Sequence, residues 1–141
     1  MQLTQESSIF TASVAPDCEV YHQFLHTVNS AARTSGLTRQ GIAERMNQAL
    51  KVNEMVITES KLNKYLSPAT EVYLPAHYIP ALLWAIKSVE PVNILLQPLM
   101  YSAFDQRAQL LQQHAEMEMQ KQQIEKSQRE ILSSISVTDE E

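Results

Sequence analysis

Apolar residues recur at helical spacing through most of this chain. Tyr21, Phe24, Leu25, Val28 and Ala32 share one face and predict a helix from Asp17 to Ser35. Pro16 suits its first turn, Asp17 can cap it, and Gly36 stands where a helix stops. Ile42, Ala43 and Met46 form a second stripe behind Thr38, a good N-cap, and predict a helix from Thr38 to about Leu50. A third, shorter stripe of Leu62, Tyr65 and Leu66 predicts a helix from Thr58 to Leu66, closed by Ser67 and Pro68. The intervening segment 51–57 reads either as a long turn or as a short extended piece.

Ala81, Leu82, Leu83, Trp84, Ile86 and Val89 supply a strongly apolar surface after Pro75. Pro80 cannot sit deep in a helix, so this helix either starts near Ile79 after one preceding turn or kinks there. Pro91 begins another short helix through Leu95 and Leu96, and Pro98 interrupts or restarts it. From Leu99 to about Ser134 there is neither Pro nor Gly, and strong helix formers dominate. Ala103, Leu110, Met117, Ile124 and Ile131 recur every seven residues there. The companion column of His114, Lys121 and Gln128 is polar, and Leu111, Ala115 and Met119 help only the first half. The seam is therefore weak for a coiled coil, which needs two apolar positions per heptad. The expected organisation is a flexible arm over 1–16, a helical domain over 17–98, an oligomerisation helix over 99–134 and a disordered tail over 135–141.

Two glycines in 141 residues and the lack of alternating strand patterns argue for an all-α fold of about five helices with a long C-terminal helix. The lone Cys18 excludes an intramolecular disulfide. No signal-peptide pattern and no run of eighteen apolar residues is present, so the expectation is a cytoplasmic chain with no membrane partner. The net charge of −5 is unusual for a nucleic-acid binder, but it is unevenly distributed. Residues 33–64 hold six basic and three acidic groups, whereas residues 91–141 hold four basic and eight acidic ones.

The second and third predicted helices read as a helix-turn-helix, with Ala43 small enough for a close crossing. On the third helix the stripe leaves Glu59, Ser60, Lys61, Asn63 and Lys64 outward. Asn can read adenine, and Lys can read guanine or hold phosphate. Thr38, Arg39 and Gln40 open the second helix, where a helix N-terminus favours phosphate. With Thr58, Ser60, Lys61, Asn63 and Lys64 they are the candidate DNA contacts; an ordinary helix pair in an α-helical domain is the plainer alternative. Leu110, Met117, Ile124 and Ile131 are the candidate self-association residues. His22 and His26 have helical metal spacing but lack further ligands, so no metal or other cofactor is expected. Cys18 and the serines have no ordered base, so no enzyme is expected. Trp84 with Leu82, Leu83 and Ile86 reads as core rather than a ligand pocket.

The segment LTRQGIAERMN, residues 37–47, resembles the lambda-repressor-like helix-turn-helix family, whose second helix runs close to L-[ST]-Q-x-x-[IVL]-A-x-x-[ML]-G. Leu37, Thr38, Ile42, Ala43 and Met46 match. Arg39 stands where the family often has a backbone-touching Gln, and Asn47 replaces the turn Gly. The link to the next helix is longer than the family's. The block from Ile57 to Ile86 is similar to phage and prophage regulators with a ΦPxxΦΦPALxxA core helix, Φ being apolar. The resemblance covers about residues 17–100. It implies a phage- or prophage-encoded transcriptional regulator that binds double-stranded DNA as a dimer or higher oligomer. A phage DNA-packaging or assembly protein with a similar head, or an adaptor or antirepressor whose acidic tail docks a regulatory protein, is the alternative.

Overall fold

The computed structural model describes the backbone of residues 8–139 and side chains through residue 136. Six α-helices and no strand occur among the described residues. They are α1 (Tyr21–Ser35), α2 (Arg39–Ala49), α3 (Glu59–Leu66), α4 (Ile79–Ile86), α5 (Glu90–Leu96) and α6 (Gln106–Asp139). The chain divides into two units, residues 1–103 with α1–α5 and residues 104–141 with α6. None of these helices is long and apolar enough to cross a membrane.

The core of the N-terminal unit follows the sequence stripes. Phe24, Leu25 and Val28 of α1, Ile42, Ala43 and Met46 of α2, Leu62 and Leu66 of α3, and Leu82, Ala85 and Ile86 of α4 are each at most 2% exposed. The most extensive pairings are α2 with α4 and α1 with α5. The small faces of Ala43 and Ala85, both at 0% exposure, suit the close approach of α2 and α4.

Two helix starts depart from expectation, whereas Gly36 and Pro80 act as their positions implied. Asp17 does not open α1; its carboxylate accepts from the Glu19 amide at 3.0 Å, a local turn that delays the helix to Tyr21. Gly36 does end α1, at φ 75°, with its N–H donating to Arg33 O. Pro80 sits in the first turn of α4 after a 3-10 turn at Ala76–Tyr78, where its missing N–H costs nothing. The last helix begins at Gln106 rather than near Leu99, because the Asp105 carboxylate accepts from the amides of Arg107 (2.8 Å) and Ala108 (3.3 Å). Ala103 therefore lies outside the helix that carries the rest of its heptad column.

With so few glycines, the chain places ordinary residues in left-handed conformation. Lys51, Lys87 and Met100 have φ of 57°, 61° and 61°. Lys87 closes α4 this way, its N–H donating to Leu83 O and Trp84 O. Each such residue carries a conformational cost of about 1–2 kcal/mol that Gly would avoid.

Residues 1–7 of the expected arm lie outside the described residues, as do residues 140–141 of the expected tail. Within the remainder of the arm, Ser8 caps a 3-10 turn at Ile9–Thr11, and the Phe10 ring lies 6.0 Å from that of Tyr101. In place of a disordered tail from residue 135, α6 continues to Asp139.

Candidate nucleic-acid interface

The outer face of α3 is assembled from its two ends inward. Thr58 is the N-cap, its hydroxyl accepting from the Lys61 amide at 3.1 Å. Leu62 and Leu66 point into the core, and Tyr65 is half-buried with its ring 6.4 Å from that of Tyr78. The remaining residues, Glu59, Ser60, Lys61, Asn63 and Lys64, are all exposed. Lys61 Nζ leans back to Val56 O at 3.3 Å. Ser60, Asn63 and Lys64 have no side-chain partner among the described residues.

What aims this face is a side chain that sequence reasoning misassigned. Asn47 does not serve as a left-handed turn residue; it lies within α2, and Lys51 takes the left-handed position. Only 8% exposed, Asn47 spans from α2 to the residue before the α3 cap. Its Nδ2 donates to Ile57 O (2.7 Å) and Ala43 O (2.8 Å), and its Oδ1 accepts from Ile57 N–H (2.9 Å). The amide thus pairs with both backbone groups of one residue, satisfying polar groups that the core would otherwise strand. The link between α2 and α3 spans nine residues, 50–58, against three or four in a compact helix-turn-helix. Asn47 fixes its far end.

The other end of α3 is held by Asn29, which the sequence did not single out. Its Nδ2 donates to Leu66 O at 3.0 Å, covering a terminal carbonyl, and its Oδ1 accepts from Arg39 at 2.6 Å. Arg39, the candidate phosphate contact, is therefore engaged at the joint between α1 and α3. Its second terminal nitrogen is buried without a hydrogen-bond partner among the described residues. Burial, and after it the neighbouring Arg33 charge, push its pKa below the usual arginine value. The other two candidates on α2 remain at the surface. Thr38 caps the helix, accepting from Gly41 N–H at 3.0 Å, and Gln40 donates to Glu44 at 3.2 Å.

Arg45 is likewise committed inside the fold. It donates to Ala85 O (3.1 Å) and Trp84 O (2.9 Å), covering the C-terminal end of α4, and lies 4.0 Å over the Trp84 ring. Trp84 is half exposed, so the expectation of a core tryptophan is corrected: Leu82 and Ile86 turn inward and the indole lies outside under Arg45. Arg45→Ala is expected to cost about 1–2 kcal/mol. Arg45→Lys should recover only part, because lysine lacks the planar fork. Urea midpoints of the three proteins check this. The exposed basic charge of residues 33–64 is accordingly smaller than the sequence count implies: Arg33, Lys51, Lys61 and Lys64 are exposed, along with Glu44, Glu54 and Glu59.

In the C-terminal unit, Leu110, Met117, Ile124 and Ile131 are 59–67% exposed on α6. His22 and His26 are exposed, and no group of three or more potential metal-binding side chains occurs among the described residues. The chain matches no protein-family model, no curated protein and no solved structure.

Proposed function

We propose that this chain is a sequence-specific DNA-binding transcriptional regulator of the lambda-repressor-like helix-turn-helix type, phage- or prophage-encoded, acting in the cytoplasm as a dimer or higher oligomer. The observation that carries the reading is the outer face of α3, where the side chains of Ser60, Asn63 and Lys64 have no partner among the described residues above the buried Leu62 and Leu66. In this reading α3 enters the major groove, where Asn63 and Ser60 meet base edges and Lys61 and Lys64 meet bases or phosphates. Thr38 and Gln40 approach the DNA backbone at the start of α2. Arg39 acts mainly by holding Asn29 against α3, a positioning role rather than a phosphate clamp.

Few exposed cations imply modest affinity per head, so two heads on half-sites about 34 Å apart, or a multiple of that, supply the avidity. Selection of bound sequences from random duplex DNA tests the reading and should return a spaced, two-part site. Lys61→Ala with Lys64→Ala should then weaken binding to that site about ten- to a hundredfold and lower the salt slope by about 2, with the helical signal unchanged. Unchanged affinity and slope would remove α3 from the interface. The α6 column equally suits an assembly subunit, which would give rings of many copies in a solution mass measurement.

A further inference from the structure

The bare face of α6 defines its own partner. We propose that α6 pairs with α6 of a second copy as a parallel, in-register, two-stranded coiled coil. Leu110, Met117, Ile124 and Ile131 would occupy position a, and Glu116 of each chain would meet Lys121 of the other. The proposal rests on the reading of α6 as a self-association helix and is independent of DNA binding.

The helix is 34 residues, about 50 Å, with every described side chain exposed. Its apolar column recurs every seven residues for three intervals, the repeat that a left-handed supercoil keeps on one seam. The choice of second column follows from charge. The flank with His114, Lys121 and Gln128 would bury an ammonium at its centre. The opposite flank, Gln113, Gln120, Ser127 and Ser134, carries no charge at all. Those four residues therefore fill position d, a polar column that leaves the apolar packing to position a and keeps the coil weak, as its sequence pattern implied.

Orientation follows from the same frame. In a parallel pair each layer meets its own copy, so Ile124 packs on Ile124 and Gln120 faces Gln120, whose amide both donates and accepts. An antiparallel pair would set each apolar residue against a Gln or Ser. Parallel register also brings position g of one chain to position e, five residues on, of the other. Glu116 and Lys121 have that spacing, giving two opposite-charge contacts per dimer. Every other g–e pair along the seam, Gln109 with His114, Gln123 with Gln128 and Glu130 with Ile135, contains an uncharged member. Glu116 already accepts from Gln112 at 3.3 Å through one oxygen, which leaves the second open; Lys121 has no partner among the described residues.

The test uses the full chain with Cys18→Ser, which removes the exposed native thiol. Mass in solution should be twice that of the monomer. Adding Gln113→Cys should give a covalent dimer on mild oxidation, whereas Glu125→Cys, on the outer face, should not. In an antiparallel pair overlapping along the whole helix the two Gln113 positions would lie roughly 30 Å apart, far beyond disulfide reach. A monomer mass, a mass above the dimer, or a dimer whose Gln113→Cys form fails to cross-link would each overturn the proposal. Lys121→Glu should raise the dimer dissociation constant roughly tenfold, and Glu116→Lys combined with Lys121→Glu should restore it. No restoration would overturn the assigned register. None of these measurements involves DNA, so the coil and the DNA reading can fail separately.

Discussion

Asn47→Ala is expected to destabilise the N-terminal unit by about 2–4 kcal/mol. The substitution removes three hydrogen bonds and leaves the N–H and C=O of Ile57 buried without their partner, at roughly 1–3 kcal/mol for each stranded group, partly relieved by relaxation. A domain of this size holds about 5–15 kcal/mol in total, so the loss is a large share. Chemical denaturation followed by the helical signal measures it. Hydrogen exchange should add a spatial signature, with amides of α3 losing more protection than those of α1, because Ile57 directly precedes the α3 cap. A loss below 1 kcal/mol, or one spread evenly over all helices, would show that Asn47 does not hold this joint.

Leu62→Ala should cost about 2–5 kcal/mol. Leu62 is 0% exposed and lies on the inner face of an eight-residue helix whose only other fully inward side chain is Leu66. Truncation loses the transfer energy of the side chain and leaves a cavity in the buried cluster where α3 packs against α1 and α2. Leu62→Met, which nearly conserves volume, should cost less than about 1.5 kcal/mol. Thermal or urea midpoints for the pair decide whether packing under α3 or its helix propensity sets its stability. Equal losses in both variants would point to propensity.

The elements legible in the sequence were those whose causes are local. Thr38 and Thr58 cap through the amides three residues on, Gly36 stops α1 by its own left-handed conformation, and the aliphatic and Phe24 members of the α1, α2 and α3 stripes are buried as their spacing implied, with Tyr21 and Tyr65 half-buried at their edges. What was hidden depends on residues that folding brings together. Asn47 resembles a turn residue until Ile57 arrives ten positions later. Asn29 is an ordinary polar residue on α1 until Leu66 and Arg39 converge on it, 37 and ten positions away. Arg45 counts as surface charge until the end of α4, some 40 positions on, presents its carbonyls. The same limit affected the candidate interface. Counting cations by sequence overestimated it, because two of the six in residues 33–64 are used to build the fold.

The Asn47 clasp also separates two properties that a short turn would bind together. Because α3 is anchored one residue before its own cap, the stretch from Lys51 to Met55, exposed throughout, does not determine the helix's direction. Lengthening or recomposing that stretch incurs only the slow logarithmic entropy of a larger loop. Sequence drift there can reshape the exposed surface beside α3, adding or withdrawing charge, while the angle at which α3 is presented stays constant.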